Sequence, residues 1–372
     1  MTPDRVTRDD PDTAPTGHAD SRTHSIPAPI GVLLAIVAGV AFALQSRITG
    51  AVAGQLHDGF AAAALSFGVG AVALVIGVAV IPAGRRSFAR LVHGLRAGDP
   101  PSWYLVAGGI GAGVVLAQGL TVGVLGVAIF TIALVAGQTL SGVLVDAAGF
   151  GTHQRRPPTL PRSVGSVLTI VAVVWAVESR FTGGTDVAAI IGPLLLPFAG
   201  GLLFGFQQAM NGRIGSIAGT PMISALTNFT VGALVLLLAW GVKQLVVPTT
   251  EPLPTAWWAY LPGLLGIAVV SISAMLVPRL GVLLLGLGII AGQLVGSLGL
   301  DVIVPTPGVH VALSTVGGTA LTLVAVAVAT VPWRSDRALL AAGRRSRQRV
   351  VSDGPDGRTG RTGETDADRA AR

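Results

Sequence analysis

Ten apolar runs, separated by shorter polar or charged stretches, set the pattern of this chain. They lie near 30–52, 60–82, 103–122, 124–145, 163–178, 188–210, 221–242, 257–277, 280–303 and 311–331. A helix needs about 20 apolar residues to cross a hydrocarbon core. The pattern therefore predicts an all-α polytopic membrane protein with ten transmembrane helices. Two boundaries need an argument. Residues 103–145 are apolar almost throughout, but at about 1.5 Å per residue one helix would be roughly twice the core thickness. A turn at Pro278-Arg279-Leu280-Gly281 aligns with Gly123-Val124-Leu125-Gly126 and shows where to cut. The fifth run is short, but Arg162 and Glu178 bound it, and its Leu168–Val173 matches Leu321–Val326 of the tenth.

The runs repeat. Ala199–Arg213 ends in amides, and a partial echo begins at Ala38, with Phe42, Gln45 and Gly50 in the places of Phe204, Gln207 and Gly212. The offset of 162 residues (Gln45 to Gln207) holds without a gap through Phe67/Phe229, Val69/Val231, Gly70/Gly232 and Ala71/Ala233. A second block, Ala136-Gly137-Gln138 to Asp146, matches Ala291-Gly292-Gln293 to Asp301 at an offset of 155. The second copy therefore has a shorter loop between its second and third spans. Matches sustained over such lengths indicate an internal duplication. Five spans is an odd number, so the two copies enter the membrane from opposite faces, as inverted repeats do in many secondary transporters. The division expected is a disordered tail over 1–28, repeats over 29–180 and 181–332, and a basic disordered tail over 333–372.

Composition agrees. Of 372 residues, 51% are hydrophobic and only 12% charged, about half the charge of a soluble domain. The 51 glycines suit close helix packing in lipid. There is no cysteine, which excludes disulfides and thiolate metal sites. The net charge of +7 sits in tails and loops and predicts no nucleic-acid partner. With ten spans, one side carries Arg85, Arg86, Arg90, Arg96, Arg155, Arg156, Arg162, Arg213, Arg279 and the Arg344–Arg349 cluster. The other has Arg47, Arg180 and Lys243. That asymmetry puts both termini in the cytoplasm. No metalloprotease, serine-hydrolase or phosphate-loop motif is present, so no catalytic residue, cofactor or metal is assigned.

Polar groups inside apolar spans carry the candidate chemistry, because an amide facing lipid is costly. Counting helix rise places Gln45, Ser66 and Gln293 at one outer level, and Gln207, Gln138 and Asn228 at one inner level. Thr49 and Asp301 extend the outer set, Asn211 and Asp146 the inner one. Gln45, Ser66, Gln138, Gln207, Asn211, Asn228 and Gln293 are the predicted substrate pathway; the alternative is that they serve as bonds between helices. Arg47, Asp146 and Asp301 are candidate gating or charge sites, with anchoring or capping at span ends as the other reading.

Phe204…Gln207…Asn211-Gly212, Asn228-Phe229…Gly232, and Pro278-Arg279-Leu280-Gly281 leading to Ala291-Gly292-Gln293…Asp301 resemble the bacterial YdcZ family of the drug/metabolite transporter superfamily, in its fused ten-span form. The resemblance covers about residues 30–331. It implies a protein of the bacterial inner membrane, with a central cavity from spans one to four and six to nine, and with spans five and ten peripheral and often at a homodimer contact. The function expected is gradient-driven export of small metabolites or drug-like compounds by alternating access. The other class to be tested is a non-transporting membrane scaffold or assembly partner. The first copy departs from the pattern, with Ser46, Arg47 and Thr49 where the second has Gln208, Ala209 and Asn211.

Overall fold

The structure, a computed structural model, describes residues 28–148, 160–182, 187–249, 251–305 and 311–329. Both tails, with the Arg344–Arg349 cluster, lie outside the described residues. The helices are α1 (Ala28–Leu56), α2 (Gly59–Val80), α3 (Pro82–Arg96), α4 (Ala107–Leu125), α5 (Val127–Ala148), α6 (Leu160–Thr182), α7 (Val187–Ala218), α8 (Pro221–Val246), α9 (Leu261–Ile303) and α10 (Leu313–Ala329). Among the described residues there is no strand. Among the described residues seven helices are long and apolar enough to cross a membrane, and the apolar stretches Ser163–Glu178, Trp257–Ser273 and Leu313–Val328 are shorter. Val72, Ile76, Leu237, Leu238 and Leu245 are exposed, as suits an outer surface whose solvent is lipid.

Local sequence explains the breaks. Between α4 and α5, Gly126 has φ 82°, a conformation that costs any residue with a Cβ. Thr220 caps α8, its hydroxyl accepting from the Met222 N–H, and Pro221 stands in the first turn, where no backbone donor is needed. α7 continues as helix through Pro193 and Pro197.

Two elements differ from the sequence expectation. The arginines from Arg85 to Arg96 are not on a loop: they belong to α3, an amphipathic helix on which Phe88, Leu91, Val92 and Leu95 recur at three- and four-residue spacing. The equivalent connection in the second half, Val247–Ala256, contains no helix among its described residues, which accounts for the change of offset.

α9 is assigned as one 43-residue helix, where a turn is expected at Pro278–Gly281. Its packing nevertheless reverses direction. Gly266 lies against Gln45, and Gly292 against Gly39. Those two α1 residues are only about 9 Å apart along the helix, whereas a straight α9 would separate Gly266 from Gly292 by about 39 Å. Ile272 and Leu276 also share one cluster with Leu285 and Ile289, around Leu34 and Ala35. The two ends of α9 are thus antiparallel arms, both lying along α1.

Contacts in the core occur in pairs. Gly39 of α1 is pressed against the backbone of Ile289, Gly292 and Gln293; Gly201 of α7 is pressed against Leu134 and Gln138 of α5, and Gly137 against Phe198, Gly201 and Leu202. At the centre Gly70 faces Phe229 and Gly232 faces Phe67, and the two rings stack with centroids 4.9 Å apart and planes inclined by 29°. Gly263 meets Ser66 and Gly70, just as Gly108 meets Asn228 and Gly232. Each of these contacts of the first half with the second is matched by one in which the halves exchange roles. The matched helices run in opposite directions: α1 ends beside Asp58, whereas α7, its counterpart, ends at Ala218 against α3.

Candidate functional site: two polar clusters at the halves' contacts

The cluster nearer α3 is built by α4, α7 and α8. Gly111 of α4 has no side chain, and Gln207 Nε2 and the Asn228 amide fill the space a Cβ would occupy. Gln207 Nε2 donates to Asn228 Oδ1 at 2.9 Å, and Asn211 Nδ2 reaches the same oxygen at 3.5 Å. Ser224 Oγ donates to the Asn211 carbonyl at 2.8 Å. Gln207 Oε1 and Asn211 Oδ1 are buried acceptors with no hydrogen-bond partner among the described residues. An unpaired buried acceptor costs free energy, so the cluster is predisposed to take a donor from a ligand or from water.

The second cluster is its counterpart at the Asp58 end. Gly266 brings the first arm of α9 so close that a Cβ there would lie 3.3 Å from Gln45 Oε1, and Gly263 sits on the Ser66 carbonyl one turn away. The chemistry differs because the side chains are shorter. Thr49 Oγ1 donates back to the Gln45 carbonyl at 2.9 Å, and Ser66 Oγ is buried without a partner among the described residues. The α3-end cluster is held by hydrogen bonds between side-chain amides, and the Asp58-end cluster is not.

Gln293 and Gln138 depart from the expected levels. The Gln293 backbone packs on Gly39, six residues before Gln45, so it lies about 9 Å closer to the start of the helix it packs on. The Gln138 backbone packs on Gly201, six residues before Gln207, with the same result. Counting rise from the ends of apolar runs ignores where each helix begins against its neighbour. Gln293 Oε1 is buried and unpartnered among the described residues, and Gln138 is partly exposed.

Gln118 was not among the sequence candidates. It is fully buried in α4 beside the contact of Gly50 with Val122, and both its Oε1 and Nε2 lack partners among the described residues. Its position deep in an apolar span was the available signal. Repeat matching concealed it, because Ser273 stands at the equivalent place.

The charged candidates act as ties. Asp301 Oδ1 and Oδ2 accept from the Val127 and Ala128 N–H groups at 3.1 and 2.7 Å, capping α5 from the opposite half. Arg47 donates to the Val304 and Pro305 carbonyls, each at 3.3 Å. The Asp146 side chain lies outside the described residues.

A further tie was not foreseen. Asp58 Oδ2 accepts from Lys243 Nζ (2.8 Å), Trp240 Nε1 (3.1 Å) and Thr249 Oγ1 (2.8 Å), while Oδ1 caps α2 at Phe60 and Ala61. Burial alone would raise the Asp58 carboxyl, but hydrogen bonds from Lys243, Thr249 and Ala61, with the Lys243 charge, hold it below the usual aspartate value. At the other end Arg90 Nε and Nη2 donate to the Ala218 carbonyl at 3.0 and 2.7 Å, satisfying an otherwise open helix C-terminus. Among the described residues no group of three potential metal ligands occurs.

No curated protein matches the chain. A family model described as "Putative inner membrane exporter, YdcZ" matches residues 30–175 and 192–328, one match in each half. That description is of an exporter, a transporter rather than an enzyme, and with the apolar helices it supports a multi-pass inner-membrane protein. With two matched regions covering most of its length, and paired contacts between its halves, the chain belongs to the YdcZ family in its two-repeat form.

Proposed function

We propose that this chain is a gradient-driven exporter of small metabolites or drug-like compounds, working by alternating access between two inverted five-helix repeats. The observation that carries the reading is the exchange of contacts: Gln45 with Gly266 in one half-site, Gln207 with Gly111 in the other, on either side of the Phe67–Phe229 stack. Two near-equivalent arrangements of one sequence motif are what a rocking mechanism requires. Seven long and three shorter apolar helices support ten spans, and the arginine asymmetry supports cytoplasmic termini.

In this reading Gln45, Ser66 and Gln293 serve the Asp58-end half of the pathway, and Gln207, Asn211, Asn228 and Gln138 the α3-end half. Asp301, Arg47 and the Asp58–Lys243 pair tie the halves together at one end and must move when that end opens. Asp146 is their expected counterpart at the other end. α6 and α10 pack on each other through Gly317, Gly318, Trp175 and Ala176, away from the clusters, which fits the peripheral place expected of spans five and ten and leaves them for a homodimer contact.

One observation favours a non-transporting scaffold: the amides of Gln207, Asn211 and Asn228 bond one another, as purely structural polar groups in membranes do. Screening overexpressing and deletion strains against a compound panel, then measuring uptake into liposomes holding the purified protein, separates the two. The exporter reading expects Gln45→Ala and Gln207→Ala each to lower transport about tenfold, the value of one lost ligand hydrogen bond. Undiminished transport in both would remove the site assignment, and no transported compound would favour the scaffold.

A further inference from the structure

Beneath α3 lies a cavity of about 670 Å³, walled by Val78, Leu91, Leu95, Leu226 and Val231, with Arg85 as its one charged lining residue among those described. Its size is that of a site for a drug-sized ligand, at about 300–1,000 Å³. It shares Val75 and Thr230 with an apolar groove of about 320 Å³ between α2 and α8, whose Val72, Ile76, Leu234 and Leu237 face outward. Neither space is lined by the amides of the two clusters.

We propose that this cavity binds one anionic phospholipid, with the phosphate at Arg85 and an acyl chain in the cavity and groove. Three observations select that occupant. The wall is apolar and continuous with a surface that faces the bilayer, so its occupant reaches it through lipid. The Arg85 guanidinium is held at the rim by donating to the Ala79 carbonyl at 3.0 Å, and among the described residues it has no acid partner. Arg85 also stands in the first turn of α3, which contains no acidic residue, so the positive end of the helix adds to its field. Arginine with a helix N-terminus favours a phosphate, and a basic pocket between transmembrane helices is where anionic headgroups are held. Thr230 Oγ1, buried without a partner among the described residues, offers a donor deeper in the cavity to an ester oxygen. Among the described residues the second half has no helix equivalent to α3, so the site occurs once per chain and on one leaflet.

The test uses the purified full chain in detergent, titrated with phosphatidylglycerol, with phosphatidylcholine of the same acyl chains, or with inorganic phosphate. Melting midpoints give apparent affinity, and native mass spectrometry counts retained lipid. The expected result is one retained phosphatidylglycerol, bound about tenfold more tightly than phosphatidylcholine. Arg85→Gln should erase that difference. Arg86→Gln should keep it, because Arg86 does not line the cavity and donates to the Pro82 carbonyl. Val75→Trp, at a half-exposed position shared by cavity and groove, should weaken both lipids. Equal affinity for the two lipids, an equal effect of inorganic phosphate, or equal loss in Arg85→Gln and Arg86→Gln would overturn the proposal. Unchanged binding in Val75→Trp would overturn the placement of the chain.

Discussion

Asp58 and Lys243 meet where α1 turns into α2 and α8 ends, with the Asp58 side chain only 1% exposed. Removing one partner of such a pair leaves the other charge buried, at a typical cost of about 3–5 kcal/mol. Lys243→Met should therefore destabilise the protein strongly, while Asp58→Asn with Lys243→Met should recover much of the loss; unfolding in denaturant checks both. The sign of the pH dependence follows from the lowered Asp58 value. Its stabilisation is complete above the usual aspartate range and is lost as pH falls through the lowered folded-state value. Asp58 therefore stays ionised at neutral pH while this tie is made. Gln118 makes the opposite case. With neither end of its amide partnered among the described residues, Gln118→Leu should leave stability unchanged or raise it by about 1–3 kcal/mol. A clear loss of thermal stability would show that the amide has a partner.

At the scale of elements, the crossings of α1 with α9 and of α5 with α7 depend on the absence of side chains. A Cβ on Gly201 would collide with the Leu134 backbone, and one on Gly39 with that of Ile289. Backbone cannot step aside as a side-chain tip can, so Gly39→Val and Gly201→Val should each cost more than the about 1–3 kcal/mol typical of overpacking. Gly113→Ala, where a Cβ meets open space, should be near neutral; folded yield and melting midpoint read all three. Much of this was legible in the sequence. Glycines and amides matched at fixed offsets marked equivalent positions of the two halves, though not which of them touch, and the break at Gly126 followed from its alignment. α3 was not legible as a helix, since its four arginines dominated a stripe of four apolar residues that only a partner surface makes meaningful. The levels of Gln138 and Gln293 were misplaced because depth depends on where helices cross, a tertiary property that no count along one span contains. The Asp58 tie was hidden for a similar reason: Lys243 and Thr249 lie far from it in sequence.

For the whole molecule, the two-repeat family and the exchanged contacts make a single geometric account: the chain is one unit used twice, in opposite orientations. Taken with the arginine asymmetry, the proposed ten-span topology predicts that a reporter fused to the C-terminus reads as cytoplasmic; an extracellular reading would contradict it. It also predicts that the two polar clusters are never equally open to the same side. The chain contains no cysteine, so single cysteines at positions 45 and 207 can be labelled without background. The decisive measurement is their reactivity toward a membrane-impermeant thiol reagent applied from each side of oriented vesicles, with and without a transported compound. Alternating access predicts that position 45 reacts from the outer side and position 207 from the inner, and that the compound raises one while lowering the other. Both positions unreactive from either side, or both changing together, would contradict it.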